Sequence, residues 1–463
     1  MAVHRANDTI AAIATAPGTG GIGIIRISGP EALTLLRQLF VSHKPHSHFT
    51  SHQLYYGTVM NRAGQVLDEA LAVYMRAPHT YTREDVVELQ CHGSYLVLQE
   101  ILRTVFERGA RPADPGEFTK RAFLAGRIDL TRAEAVVDLL QAQTEKGALL
   151  AVNQLRGALF AELEQIRDHL LSILAVLEVA IDFPDEDAEI FAAQQIQDQL
   201  QTHLIGPLER LIAMAEQGKI VREGVKVVIT GQPNVGKSSL LNTLLQEERA
   251  LVTPLPGTTR DTIEERIAIR GIPLHLVDTA GIRLHHDPVE ALGIERARQK
   301  VEQADLVLFL VDAQVGWRET DEELYRSLGN KPHVIVVNKR DLATKEQIAS
   351  IFSRFSGKKV VAISAKQQEG IDELQEAVYQ AIIGDGAELC ERMTCAPNTR
   401  HRSILHKTLT ACRGFEAAMA MAAPVDLLAV EVQSALDHLG DIVGLTTPDD
   451  VLDVVFSQFC IGK

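Results

Sequence analysis

A chain of 463 residues with 46% apolar content is too long for one compact core, so two or three domains are expected. The formal charge of −15 excludes capture of nucleic acid by bulk electrostatics, and any RNA contact must use a local basic surface. Five cysteines, at 91, 390, 395, 412 and 460, lack C-x-x-C spacing, which excludes a disulfide framework or a zinc cluster.

Residues 1–7 carry no apolar h-region and no apolar run reaches membrane-spanning length, so a cytoplasmic protein without a membrane partner is expected. Residues 9–27 form an apolar segment punctuated by glycine. Within it, Pro17-Gly-Thr-Gly-Gly-Ile-Gly23 is similar to a dinucleotide fingerprint. No helix-forming run follows it, so it reads as a turn into a strand over 22–27. Residues 55–60 and 69–75 read as strands joined by a turn at 61–64. Residues 1–120 are therefore expected to form an α+β domain. The stretch 111–132, with Lys120, Arg121 and Arg127, is the densest basic candidate for RNA contact and equally suits a solvated face.

From 131 to 220 the apolar period becomes helical, as in Ala135, Val136, Leu139 and Leu140, then Leu170, Leu171, Leu174 and Leu177. Pro184 interrupts this run between two long helices. Helical periodicity returns from 398 to the C-terminus. Neither flank can bury its stripe alone, so residues 121–222 and 386–463 are expected to form one helical domain with residues 223–385 inserted into it.

The inserted segment carries Gly231-Gln-Pro-Asn-Val-Gly-Lys-Ser238, a G-x-x-x-x-G-K-[ST] loop between an apolar strand at 225–230 and a helix at 239–245. Backbone N–H groups around Asn234, Val235, Gly236, Lys237, Ser238 and Ser239 can seat phosphates at the positive end of that helix. Lys237 can reach the β- and γ-phosphates, and the Ser238 hydroxyl can hold Mg²⁺. Asp278-Thr279-Ala280-Gly281 ends a second apolar run and supplies a carboxylate near Mg²⁺ and a glycine near the γ-phosphate. Asn338-Lys339-Arg-Asp341 follows a third run. A carboxylate at 341 accepts the paired N–H groups of guanine, which adenine lacks, so GTP is expected over ATP. Ser364-Ala365-Lys366, after a fourth run, can meet the guanine O6 through backbone N–H groups.

These four motifs in order resemble the translation-factor-like P-loop GTPases, which implies a Ras-like α/β domain at 223–385. Ile282 stands where many such GTPases place a water-orienting glutamine. Asn234 and Gly257-Thr-Thr-Arg-Asp261 are similar to the potassium-activated GTPases that dimerise through their G domains. That resemblance implies K⁺ held by Asn234, Thr253, Leu255 and Thr258, with Thr253, Thr258 and Thr259 in the GTP site and Thr259 completing Mg²⁺ coordination. Pro254 and Pro256 stiffen this loop. Arg260 and Arg283 remain alternatives as arginine fingers.

The chain ends in an amphipathic run delivering Cys460, followed by Ile461-Gly-Lys463. Cys460 reads either as a small packing residue or as a nucleophilic or redox thiol near Lys463. The C-terminal Cys-x-Gly-Lys, the inserted G domain, Ile22-Gly-Ile-Ile-Arg-Ile-Ser-Gly29, Tyr81-Thr-Arg-Glu-Asp85, Cys91-His-Gly93 and Pro115-Gly-Glu-Phe-Thr-Lys-Arg-Ala-Phe-Leu124 together resemble the MnmE family of tRNA-modification GTPases.

The resemblance implies a homodimer that works with an MnmG-type flavin protein, as a heterotetramer, on the wobble uridine of certain tRNAs; FAD enters only through that partner. It implies a tetrahydrofolate derivative as one-carbon donor, bound in the N-terminal domain by Arg26, Glu84, Arg127 and Lys463. It also implies Glu290 as the catalytic carboxylate for hydrolysis, with Glu295 its nearest rival, and a role for Cys460 in activity. The competing expectation is a GTP-controlled assembly factor that binds ribosomal RNA and modifies nothing.

Overall fold

The computed structural model describes residues 8–44, 47–182, 193–247, 265–278 and 301–463. They fall into two compact units, Met1–Val137 with Leu439–Lys463, and Asp138–His438. In the first unit, strands β1 (Ile10–Ile13), β2 (Gly20–Ser28), β3 (Phe40–Ser42), β4 (Gln53–Met60), β5 (Val66–Met75), β6 (Val86–Gly93) and β7 (Arg111–Pro112) form one sheet. Their order is β3-β4-β5-β6-β2-β1-β7, antiparallel except between β1 and β7.

Period-two alternation sets the faces. Ile25 and Ile27 are fully buried among Leu89, Leu36 and Ile101, under the helices Ala32–Leu39 and Tyr95–Glu107, while Arg26 between them points to the other face. The turn expected at 61–64 is closed by Asn61, whose Oδ1 accepts from the backbone N–H of Ala63 and Gln65, both at 3.0 Å.

The C-terminal segment is docked. The helix Asp449–Ser457 and the residues after it bury Leu452, Phe456 and Phe459 against Leu130 and Ala133. At roughly 1.5–3 kcal/mol for each large apolar side chain fully buried, three such groups outweigh the entropy that frays most chain ends.

In the second unit, β8 (Val225–Gly231), β9 (Glu265–Ile269), β10 (Ile272–Asp278), β11 (Leu306–Asp312), β12 (His333–Asn338) and β13 (Val360–Ala362) form a sheet ordered β13-β12-β11-β8-β10-β9. All neighbours are parallel except the β9–β10 hairpin. Every residue of β11 is buried, as a central parallel strand covered on both faces requires.

The rest of this unit is helical. The helix Gly206–Glu223 lies against Thr399–Ala420, with ion pairs Arg402–Glu216 and Arg413–Glu209 at 2.6 Å. Just before the second helix, Ala396 approaches Gly218 so closely that a Cβ on residue 218 would meet the Ala396 Cβ at 2.7 Å. Helices from either side of the sheet-forming segment thus pack together. The interruption expected at Pro184 lies outside the described residues. Among the described residues, no helix is long and apolar enough to cross a membrane.

Candidate functional site

An open parallel sheet offers ligands the space beyond the carboxyl ends of its strands. There β8 runs into the glycine loop and β10 ends at Asp278, whose backbone pairs with Ile229. Gly231 (φ 148°), Asn234 (φ 61°) and Gly236 (φ 98°) turn the chain before the helix Lys237–Glu247 begins. Ser238 and Ser239 are exposed at that helix start, and Val235 is buried beneath the loop. Lys237 Nζ donates to the carbonyls of Gly231 and Gln232, both at 2.8 Å, so its ammonium lies across its own loop.

Asn338 is the hub. Its side chain is buried; Nδ2 donates to Val235 O at 2.8 Å, and Oδ1 accepts from Ala365 N at 3.0 Å. One side chain therefore ties the phosphate loop to the Ser364–Lys366 segment. Gly236 is required for this approach, since a Cβ there would meet Asn338 Nδ2 at 2.3 Å. Thr243 adds a second tie to Ala365 O at 2.8 Å. Ser364 is fully buried, and its hydroxyl accepts from Gln367 N.

Lys339 adopts φ 63° and pairs with Asp312 at 2.6 Å, which holds its stem in place beside the exposed Asp341. Asp312 escaped the sequence reading. Its signal is the same as that of Asp278, a carboxylate ending an apolar strand.

Thr253, Leu255, Thr258, Thr259, Arg260, Thr279, Ala280, Gly281, Ile282, Arg283, Glu290 and Glu295 lie outside the described residues.

In the first unit, Arg26 Nε donates to Glu88 of the neighbouring strand at 2.8 Å, and Nη1 donates to the carbonyl of Gly462 at 3.2 Å. Its guanidinium lies 5.7 Å from the Phe118 ring centre. Gly462 adopts φ 95°, and a Cβ there would lie 2.4 Å from Ile13 O, so only glycine closes this contact. The tail is thus pinned, and it presents Cys460 exposed. That observation removes the buried-packing alternative for this thiol. Lys463 follows, its backbone N–H donating to Cys460 O at 3.3 Å.

Glu84 accepts from Ser28 Oγ at 2.7 Å and from Arg121 Nη1 at 3.1 Å. Arg127 donates to Thr80 O at 2.7 Å and stacks 5.1 Å from the Tyr81 ring centre. Thr80 Oγ1 in turn donates to Glu84 O at 2.7 Å, so Glu84 and Arg127 belong to one network.

The basic stretch differs from its reading as a free surface. Lys120 pairs with Asp453, Arg111 with Asp8 and Glu117, Arg121 with Asp8, Glu84 and Glu117, and Arg132 with Asp129. Burial raises the Glu117 carboxyl pKa, but hydrogen bonds from Arg111, the Asp114 N–H and Arg121 outweigh it and hold the value below normal. Asp8 is depressed by the same balance of burial against Arg111 and Arg121.

Two family models match the chain: the MnmE helical domain over residues 130–460 and the N-terminus of the GTP-binding protein TrmE over residues 9–127. The tRNA modification GTPase MnmE of Desulfotalea psychrophila is 50% identical over 469 residues, covering 100% of both chains. The protein of that name from Geotalea uraniireducens is 44% identical over 98% of this chain and 99% of its own. Among solved structures, an Aquifex aeolicus Era variant bound to GDP·AlF4⁻ is 32% identical over 40% of this chain and 66% of its own, with a TM-score of 0.29. With the two models together matching residues 9–127 and 130–460 and half of all positions shared with a full-length relative, the chain belongs to the MnmE family of tRNA modification GTPases.

Proposed function

We propose that this chain is a potassium-activated GTPase that, with an MnmG-type flavin protein, installs an aminomethyl-type group on the wobble uridine of certain tRNAs. The observation that carries the reading is the presence, in one chain, of two prepared sites. Asn338 latches a phosphate loop to a base-recognition loop, and a separate tail pinned by Arg26 presents an exposed thiol.

At the first site, Asn234 to Ser239 cradle the phosphates of GTP, with Lys237 moving from its own loop carbonyls to the β- and γ-phosphates. Ser238 and Thr259 would hold Mg²⁺, with Asp278 through Gly281 completing the phosphate site. Asp341 reads guanine, Lys339 flanks its ring, and Ser364 to Lys366 meet its O6. Asn234, Thr253, Leu255 and Thr258 would hold K⁺, which would supply positive charge beside the phosphates. With Ile282 unable to orient water, Glu290 does so. Hydrolysis drives G-domain dimerisation and rearrangement within a homodimer.

At the second site, Arg26, Glu84, Arg127 and Lys463 hold a tetrahydrofolate derivative. The donor set fits: the Glu84 side chain keeps 29% of its surface exposed while Arg121 and Ser28 orient it. When bound, the cofactor supplies the one-carbon unit. Arg26 fixes the tail that carries Cys460, and FAD would be carried by the partner protein in the heterotetramer.

The test is mass spectrometry of wobble nucleosides from cells whose only copy carries Glu290→Ala or Cys460→Ser. Loss of the modified uridine in both is expected; full modification in both refutes the assignment. Equal GTP turnover in NaCl and KCl would remove the K⁺ site alone.

A further inference from the structure

At the start of β8 and β11, away from the phosphate loop, lies a cavity of about 510 Å³. The end of the helix Gly206–Glu223 forms one wall, and Ala381 and Ile382 of the helix Ile371–Ile383 form another. A row of side chains crosses the sheet beneath them. The strand register sets Arg266 of β9 opposite His275 of β10, and His275 beside Lys226 of β8. Residues opposite one another on adjacent strands share a face, and all three of these line the cavity.

Arg266 and Lys226 thus face the cavity from either side of His275. Among the described residues, the Arg266 and Lys226 side chains make no hydrogen bond or ion pair. The two nearby carboxylates are committed elsewhere. Asp305 accepts from the backbone N–H of Lys226 at 2.9 Å, and Glu223 lies 3.9 Å from Lys219, a third cation on the cavity wall. His275 Nε2 donates to the carbonyl of Glu223 at 3.0 Å, which fixes the ring at the cavity edge. The junction is also rigid. Gly224 joins helix to strand at φ 76°, with Pro273 O only 2.6 Å from where a Cβ would stand.

We propose that this cavity binds a small phosphorylated metabolite, its anionic group bridging Arg266 and Lys226 with Lys219 closing over it. The volume suits a small molecule, since ligand cavities commonly span about 300–1,000 Å³. Two cations on strands that flank β10, both lining one cavity, favour a multiply charged oxyanion. The site also has a route to the GTPase. β9 and β10 are the hairpin that joins the segment before residue 265 to the segment after 278, the two that contact GTP in the proposed function. A ligand linking Arg266 to Lys226 clamps that hairpin to β8. This consequence rests on the proposed function; the binding itself does not.

The full chain, loaded with GDP so that the phosphate loop is filled, is titrated with inorganic pyrophosphate by calorimetry in magnesium-free buffer. One saturable site is expected. Its affinity should fall about tenfold or more in the double variant Arg266→Gln/Lys226→Gln, because two charge-assisted contacts are lost. GDP affinity and melting temperature should be unchanged, which separates lost binding from misfolding. Lys237→Ala should leave the pyrophosphate site intact. Absence of saturable binding, equal binding by the double variant, or loss of binding in Lys237→Ala each overturns the proposal. So does a row that binds tRNA but not pyrophosphate. None of these readings depends on K⁺ or on uridine modification, so failure here is distinct from failure of the proposed function.

Discussion

Asn338→Ala tests the nucleotide site most directly, because the side chain touches two loops and is itself 2% exposed. Truncation removes the bonds to Val235 O and Ala365 N and leaves a buried carbonyl and a buried N–H without partners. Each orphaned group costs about 1–3 kcal/mol, so about 2–6 kcal/mol of loop-holding energy disappears. If GDP must re-form the same loop geometry on binding, even the lower figure weakens affinity by roughly 30-fold. Fluorescence titration with a labelled GDP reads this directly. The larger part of the loss should appear as faster dissociation, since the loops reopen more readily. Asn338→Asp should be at least as damaging, because it sets a carboxylate against the Val235 carbonyl. A GDP affinity within twofold of wild type in Asn338→Ala would refute the reasoning and show that the loops hold their geometry without this latch.

Three further outcomes follow from the packing. Arg121→Ala leaves Asp8, Glu84 and Glu117 converging without their shared cation and should cost the N-terminal unit about 3 kcal/mol at pH 7, read as a lowered melting temperature. Asp8 and Glu117 have depressed folded values, so their contribution is present above the unfolded carboxylate range and is lost as pH falls through the folded values. The gap between wild type and variant should therefore narrow in acid, and a gap that is constant with pH would contradict the ion-pair account. Gly218→Val drives a branched side chain into Ala396 and should destabilise the helical unit by about 1–3 kcal/mol in chemical denaturation, whereas an unchanged midpoint would mean the helices can separate freely. Alkylation with iodoacetamide at pH 8, mapped by peptide mass spectrometry, should label exposed Cys460 first. Burial pushes the Cys91, Cys395 and Cys412 thiols up to about 12, so labelling of these at the same rate would show that the fold opens on the timescale of the reaction.

What the sequence discloses about this molecule divides along a physical line. Features whose partners are close in sequence are legible. The strand over 225–230, the glycine loop and the helix after it form one contiguous unit, and the observed β8 and Lys237–Glu247 extend the expected bounds by only a residue or two. The docked tail is legible for the same reason, because a helical apolar period persisting to the chain end has to be buried somewhere.

Features that depend on strand order are not. Lys339 finds Asp312 only because β11 lies beside β12, and nothing local to either residue states that neighbourhood. Arg121 takes Glu117 from one turn back on its own helix, but Asp8 and Glu84 reach it only through the tertiary fold. The same distinction bears on RNA. A count of cations made 111–132 the strongest basic candidate, yet Lys120, Arg111, Arg121 and Arg132 all face internal carboxylates, and Arg127 lies on Tyr81. Those charges hold the N-terminal unit together, and a tRNA that drew on them would have to break ion pairs to do so. The groups that contact RNA must therefore be sought among cations whose partners the fold has not already supplied.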